Sequence, residues 1–300
     1  MAPSQDTDED VGLLRIGLFF DGTRNNAHNL ARGRPQVPQP RPAQLRADDD
    51  STYQSRLTSS YDNGLTNIAR LQQLYPDSRR DAMAAPSLSI YVEGVGTRDD
   101  ADDDLIGLAF GIGASGVRAK VQRALQVLLP AALAELSARW QRPLRGVQLD
   151  LFGYSRGAAA AREIANQLQA WDSARWRQLL QGAGLPCTAD FAAVTPVLRF
   201  IGLFDTVVAV NGGRADEHPQ LALRSGIAAH VVQLAARDEH RQHYPLTSVA
   251  PTFTEIALPG VHANIGGGYN QLEEGPKQIG RASCRKECSC LCRSRWSPYH

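Results

Sequence analysis

The chain has 300 residues, of which 43% are hydrophobic, and a formal net charge of +1 at pH 7. This length allows one large domain or two small ones with a sizeable core. The sequence contains no run of 18 apolar residues, so it predicts no membrane span. The polar, acidic start MAPSQDTDEDVG is unlike a secretory signal peptide. We therefore expect residues 1–12 to form a flexible N-terminus and the protein to be made in a cytosol.

Short apolar runs alternate with segments of helical spacing along the chain. In order, we predict strands within residues 13–23, 88–97, 147–153, 198–206 and 253–258. Between them, helical spacing is found from Asn63 to Leu74, over residues 117–140 with an expected kink at Pro130, and over residues 227–243. Residues 33–46 contain four prolines and are expected to form an extended loop. Residues 98–104 contain five aspartates, and we expect a solvated acidic loop there and not a cation site.

The predicted strands are apolar along most of their length and do not alternate strictly between polar and apolar residues. Strands covered by helices on both faces have this composition. The sequence therefore predicts an α/β fold, resembling that of the α/β-hydrolases, with a mainly parallel sheet and helices on both faces. Functional sites in such folds lie at the carboxyl ends of the strands.

A Gly-x-Ser-x-Gly pattern follows the third predicted strand, at Gly153, Ser155 and Gly157, and a helical segment begins directly after it. This context is typical of a nucleophile elbow, in which the flanking glycines let strand and helix approach closely. The helix N-terminus also favours developing negative charge. We predict that Ser155 is a nucleophile; the alternative is a serine in a purely structural turn.

The acid and the base are expected after the serine in the order Asp/Glu, then His. Asp205 ends the fourth predicted strand and His262 lies in a glycine-rich loop after the fifth, so both fit this order. The alternative for Asp205 is a helix cap or a turn. The other histidines fit less well, because they fall in the predicted 227–243 helix, in a polar loop or too early in the chain: His230, His240, His243, His218 and His28.

An oxyanion hole needs two backbone donors. We expect one to be the N–H of Arg156, directly after the nucleophile, and the other to come from the loop after the first strand, at Gly22 or Thr23. On its own, the Asp-Gly pair in that loop is as compatible with a simple turn. The predicted chemistry requires neither a metal nor a cofactor.

The last 22 residues, IGRASCRKECSCLCRSRWSPYH, break abruptly from the preceding composition. They hold four of the five cysteines in a spacing that fits no standard zinc site, and they resemble a translated sequencing-library adapter. We interpret residues 279–300 as an artefact without function, and expect the genuine protein to continue beyond Gln278. This tail holds five basic residues and one acidic residue, so residues 1–278 carry a formal charge of −3, which does not support nucleic-acid binding.

Five motifs occur together and in order: FFDGTRNN, GVGT, FGYSRGAAAAR, GLFDTV and GVHANIGGGY. In these motifs the chain resembles the catalytic domain of type VI secretion phospholipase effectors, over residues 13 to about 275, and we expect the catalytic domain to comprise residues 13–278. The resemblance implies an α/β-hydrolase domain that cleaves esters of membrane phospholipids, with Ser155 as nucleophile, Asp205 as orienting acid and His262 as general base. It also implies a secretion spike protein and an immunity protein as partners, and delivery from the producer's cytoplasm to the target cell's periplasm.

Two other hypotheses remain at this point. A soluble acyl hydrolase, such as a thioesterase or a small-ester esterase, can use the same fold and the same triad. A catalytically silent binding module can retain the fold for partner recognition, although the presence of all three triad residue types argues against it.

Overall fold

The computed structural model describes residues 12–32, 64–97, 116–193, 197–208, 219–241 and 244–268. Within these residues, six strands form one sheet in which every neighbouring pair is parallel, in the order β2-β1-β3-β4-β5-β6. The strands are β1 Leu13–Phe20, β2 Ser87–Val92, β3 Gly146–Tyr154, β4 Val197–Phe204, β5 His230–Ala236 and β6 Thr254–Leu258. The predicted α/β class with a mainly parallel sheet is confirmed.

Helices connect the strands and cover the sheet. They are α1 Ala27–Arg32, α2 Asn67–Leu74, α3 Val117–Arg123, α4 Leu129–Ser137, α5 Arg156–Leu168, α6 Ser173–Gly182 and α7 His262–Gly266, with a 3-10 turn at Ala189–Ala193. Of the helices in the described part of the chain, none has the length and apolar character needed to cross a membrane.

Strand β1 buries both of its faces, which explains its continuous apolar run. One face packs into the main core beside α3, α4 and α5, through Leu14, Ile16, Leu18 and Phe20. On the other face, Phe19 stacks on Phe152 of β3 at 4.8 Å between ring centroids and meets the ring of Tyr75 edge-on at 5.3 Å. Because successive strand residues point to opposite faces, every position of a doubly covered strand must be compatible with burial.

The predicted long helix is split close to Pro130, as its sequence indicates. Helix α3 passes into a π-helical turn over Ala124–Leu128, and α4 begins at Leu129 with the proline in its first turn. Proline has no N–H to donate to the carbonyl four residues earlier, so the regular α-helical pattern cannot continue through this position.

The predicted helix over residues 227–243 is wrong. Its first half contains strand β5, which pairs with β4 on one side and β6 on the other. Burial follows a two-residue period, with Val231, Gln233 and Ala235 buried and the residues between them half-buried. Apolar spacing that also fits a helix led to the wrong prediction, because pairing with two neighbouring strands outweighs local helix preference. His230 and His240 are exposed.

Some sequence-based expectations concern residues outside the described ranges. These are the N-terminal residues 1–11, the proline-rich loop 33–46, the acidic segment 98–104, His218, His243 and the tail 279–300. The expectations for these residues stay predictions.

Candidate active site

Ser155 occupies a sharp turn between β3 and α5, because β3 ends at Tyr154 and α5 begins at Arg156. Its backbone has φ +57° and ψ −125°, a combination that residues with a side chain rarely adopt. The Ser155 N–H donates to the carbonyl of Phe204 at the end of β4, at 3.0 Å. The strained conformation directs the side chain away from the strand and towards the edge of the sheet where the β4 and β5 loops also end.

Two glycines make this turn possible. A Cβ atom on Gly157 would lie 2.3 Å from the carbonyl oxygens of both Phe20 and Asp21, and one on Gly153 would lie 2.4 Å from the carbonyl oxygen of Gly157. Both glycines therefore let α5 pack directly against the ends of β1 and β3. Their contacts explain in steric terms why the pattern has glycine two residues before and two residues after the serine.

The structure brings Ser155, Asp205 and His262 into one hydrogen-bonded chain. His262 Nε2 lies 2.8 Å from Ser155 Oγ, and His262 Nδ1 lies 2.6 Å from Asp205 Oδ2. The three residues are 5%, 2% and 5% exposed, respectively. A serine, a histidine and an aspartate in this order of contact can transfer the serine proton to the imidazole while the carboxylate orients the ring.

Asp205 is held by the neighbouring strand. Its N–H donates to the carbonyl of Leu234 at 2.7 Å, and its Oδ1 accepts from the N–H of Ala236 at 2.8 Å. Its φ of +45° is again outside the usual range for a residue with a side chain. Strand β5, which the sequence analysis missed, thus provides two of the contacts that aim this carboxylate at His262.

His262 lies between two aromatic rings. Tyr154, the last residue of β3, packs beside the imidazole at 4.8 Å between centroids, and Tyr244 meets it edge-on at 4.9 Å. The guanidinium of Arg241 lies 3.8 Å from the centroid of the Tyr244 ring. These rings restrict the rotation of the imidazole and keep it facing Ser155.

The backbone of His262 is fixed by Glu239. The His262 N–H donates to Glu239 Oε2 at 3.2 Å, and Arg241 forms an ion pair with the same carboxylate at 2.7 Å. Burial alone would raise the pKa of Glu239, but the hydrogen bonds from Arg241 outweigh it and lower this pKa to about 2. No sequence pattern marks Glu239, Arg241 or Tyr244 as functional, and only their position after the unpredicted strand β5 could have indicated them.

The loop after β1 approaches the serine from the other side. The Gly22 N–H donates to its neighbour Asp21 at Oδ1, at 2.7 Å, and is therefore not directed at an incoming substrate. Among the described residues, no acceptor is found for the N–H of Thr23. Arg156 is the first residue of α5, where the helix itself makes no use of the backbone N–H. Of the donors expected from the sequence, Thr23 and Arg156 fit an oxyanion hole better than Gly22 does.

Glycines of the GVGT and GVHANIGGGY motifs allow close packing around this loop. A Cβ atom on Gly94 would lie 1.8 Å from the carbonyl oxygen of Gly22, and the Gly94 N–H donates to the carbonyl of Asn25 at 2.8 Å. A Cβ atom on Gly266 would lie 2.0 Å from the ring of Tyr154. Both glycines permit close approach of backbone at the carboxyl edge of the sheet.

Asp21 is the centre of a buried polar cluster beneath the loop. Besides the Gly22 N–H, its carboxylate accepts from the Tyr91 hydroxyl at 2.6 Å and from the Thr66 hydroxyl at 2.9 Å. Thr66 also caps the start of α2 by accepting from the Ala69 N–H. Burial raises the pKa of Asp21 to about 6, although these three hydrogen bonds oppose the rise. The cluster ties the loop to β2 and to α2.

This shifted pKa predicts a pH dependence of stability. Because the pKa of Asp21 rises from 3.8 to about 6 on folding, the folded state binds the proton more tightly. The protonated Asp21 side chain therefore contributes fully to stability below about pH 4, and this contribution is lost as the pH rises through 6. The shift in the pKa of Asp21 from 3.8 to about 6 corresponds to roughly 3 kcal/mol in the free energy of unfolding. Urea unfolding between pH 4 and pH 7 should show the free energy of unfolding falling more steeply with pH in the wild type than in Asp21→Asn. Parallel curves would contradict the assignment.

Parallel strands with flanking helices, a strained serine turn and a Ser–His–Asp chain at their carboxyl ends are features of the α/β-hydrolase class. The solved structure of the Tle1 effector bound to the VgrG spike from the type 6 secretion system is similar to this chain. The TM-score is 0.61 and the identity 29%, over 88% of this chain and 52% of that one. This similarity confirms the resemblance to type VI secretion effectors that the motifs predict.

A second similar solved structure is that of an uncharacterized protein from Pseudomonas aeruginosa. Its TM-score is 0.50 and its identity 20%, over 87% of this chain and 42% of that protein's chain, so this similarity supports the fold alone. The chain thus spans about half the length of the two structures, or less. No protein-family profile and no curated protein matches it.

Proposed function

We propose that this chain is the catalytic part of a serine hydrolase that cleaves acyl esters of membrane phospholipids and acts as an antibacterial type VI secretion effector. The observation that carries the proposal is the continuous chain from Ser155 Oγ through His262 to Asp205, with separations of 2.8 and 2.6 Å. The similarity to Tle1 supports the type VI part of the proposal.

In the proposed mechanism, Ser155 Oγ attacks the ester carbonyl carbon while His262 Nε2 accepts the serine proton. Asp205 Oδ2 accepts from His262 Nδ1, which fixes the tautomer and stabilises the imidazolium that forms. The N–H groups of Thr23 and Arg156 donate to the oxyanion. Collapse of the intermediate releases the alcohol, a lysophospholipid, which takes the proton from His262. Water then attacks the acyl-enzyme with His262 again as base and releases the fatty acid.

Contact with a membrane is proposed to be apolar. The charge of −3 over residues 1–278 gives no electrostatic attraction to anionic lipids. Leu246 is 40% exposed, and it forms a bridge with Val207, two residues after Asp205. An exposed leucine on a segment that also carries Tyr244, beside His262, suits contact with acyl chains at the site.

The partners and the place of action follow from the same proposal. We expect a VgrG-type spike protein to carry the enzyme, because Tle1 is bound to such a spike in its structure. We expect an immunity protein to protect the producer, and the substrate to be reached in the periplasm of the target cell.

The test of the proposed function is an assay of the full 300-residue chain on vesicles of phosphatidylethanolamine and phosphatidylglycerol. We expect release of fatty acid and lysophospholipid, and loss of both products in Ser155→Ala. Hydrolysis of p-nitrophenyl butyrate without turnover of the vesicles would instead favour the soluble acyl hydrolase. No hydrolysis of either substrate would favour the silent binding module.

A parallel experiment tests the place of action. The same chain is expressed in a sensitive Gram-negative bacterium, once in the cytosol and once fused to an export signal. We expect toxicity only after export, and only with Ser155 intact. Toxicity that persists in Ser155→Ala would contradict an enzymatic effector.

A further inference from the structure

The side chain of Arg156 connects the two segments that hold the proposed oxyanion donors. Its Nε donates to Thr23 Oγ1 at 2.7 Å, from the first residue of α5 to the loop after β1. Arg156 is only 8% exposed, while Thr23 is half-buried. Burial lowers the pKa of Arg156 to about 10, so the guanidinium remains charged at neutral pH. A charged donor makes a stronger hydrogen bond than a neutral one.

The neighbours of Thr23 are also held by contacts within the loop and with the segment after β2. Thr23 lies between Gly22 and Arg24, and Arg24 has a φ of +61° and a long hydrogen bond of 3.3 Å from its N–H to the carbonyl of Val95. The Thr23 carbonyl accepts from the Asn25 side chain at 3.0 Å, a contact within the loop itself. The bond to Arg156 adds a direct link from Thr23 to the helix that begins next to the nucleophile.

An oxyanion hole works only when both donors lie within hydrogen-bonding distance of the same oxygen. Here the two donors belong to separate segments, one after β1 and one after β3, so their spacing depends on what joins those segments. We infer that the Arg156 side chain, acting through the Thr23 hydroxyl, is a positioning group that sets the spacing between the Thr23 and Arg156 N–H groups. This inference rests on the proposed function, because it presupposes ester hydrolysis at Ser155.

Arg156 then has two separable roles. Its backbone N–H would donate to the oxyanion whatever the side chain is, while its guanidinium would act on the loop through Thr23. Substitutions of the side chain therefore test the second role alone. An arginine that instead binds the phosphate of a phospholipid would change substrate binding and leave the chemical step intact.

The experiment compares Thr23→Val, Thr23→Ser, Arg156→Gln and the double variant Thr23→Val with Arg156→Gln in the full chain. The assay measures kcat and KM on p-nitrophenyl butyrate, a neutral soluble ester, and initial rates on phosphatidylglycerol vesicles. We expect Thr23→Val to lower kcat by about tenfold or more with little change in KM, because misplacing a donor weakens only the transition state. Thr23→Ser keeps the hydroxyl and should retain most of kcat.

The double variant supplies the decisive readout. If the two side chains act through one hydrogen bond, it should lose no more activity than the more impaired single variant. Arg224→Gln removes an exposed arginine outside the site and serves as the control for loss of positive charge. Thermal unfolding of each variant identifies any loss of activity that comes from a loss of fold.

Three results would overturn the inference. These are unchanged kcat in Thr23→Val, multiplicative losses in the double variant, or a lower initial rate on vesicles in Arg156→Gln with unchanged kcat and KM on the soluble ester. The last result would indicate substrate binding by Arg156. Retained hydrolysis in Ser155→Ala would refute the proposed function itself, whereas an inactive Ser155→Ala with a fully active Thr23→Val would refute only the positioning role.

Discussion

Replacing Ser155 with alanine is expected to lower ester hydrolysis by roughly 10³-fold or more. The variant removes Ser155 Oγ, which lies 2.8 Å from His262 Nε2 and is the proposed nucleophile. It leaves Asp205 and His262 in contact and keeps a side chain at the strained backbone position, so the free energy of unfolding should change little. Initial rates on a short soluble ester and on phospholipid vesicles measure the effect.

The matched control is Ser225→Ala, which removes the hydroxyl of an exposed serine in a turn and should leave the rate unchanged. If Ser155→Ala keeps more than a tenth of the wild-type rate on both substrates, Ser155 is not the nucleophile.

Replacing Gly157 with alanine is expected to lower the stability of the fold strongly. The new methyl group would lie 2.3 Å from the carbonyl oxygens of Phe20 and Asp21, and 2.7 Å from the carbonyl carbon of Phe20. These are backbone atoms at the end of β1, whose last residue Phe20 is paired on both sides, so they cannot move aside as the end of a flexible side chain could. We expect a loss of at least about 3 kcal/mol in the free energy of unfolding, or a failure to fold. Urea unfolding followed by circular dichroism measures it.

Gly182→Ala is the matched control for this substitution. Gly182 ends α6, and a Cβ atom there would have no other atom within 4 Å. Its replacement should leave stability unchanged or raise it by up to about 1 kcal/mol, because alanine favours the helix. Equal stability of Gly157→Ala and Gly182→Ala would show that the close approach of α5 to β1 is not as tight as the structure has it.

The parts of the fold that the sequence predicted well are those in which local chemistry dictates structure. Gly153 and Gly157 could be recognised because only glycine fits where a helix packs directly on strand ends. The apolar runs of β1 and β3 indicated strands buried on both faces, since every position along them has to tolerate burial. The split of the long helix at Pro130 follows from the missing N–H of proline.

The sequence was ambiguous where long-range contacts decide the outcome. Residues 230–236 have apolar spacing that fits a helix, and only pairing with β4 and β6 makes them a strand. Two contacts that orient Asp205 come from that strand and could not be anticipated. The engagement of the Gly22 N–H by Asp21 is similarly invisible in the sequence, because it depends on how a short loop folds back on one side chain.

Covalent labelling shows whether Ser155 is a nucleophile activated by His262. The full chain is treated with a fluorophosphonate, whose phosphorus is attacked by an activated serine hydroxyl with loss of fluoride, and the modified peptide is located by mass spectrometry. We predict one label per chain, on Ser155, with labelling greatly slowed in His262→Ala. Labelling of a different residue, or an unlabelled chain that still hydrolyses esters in the presence of the reagent, would show that Ser155 is not the nucleophile.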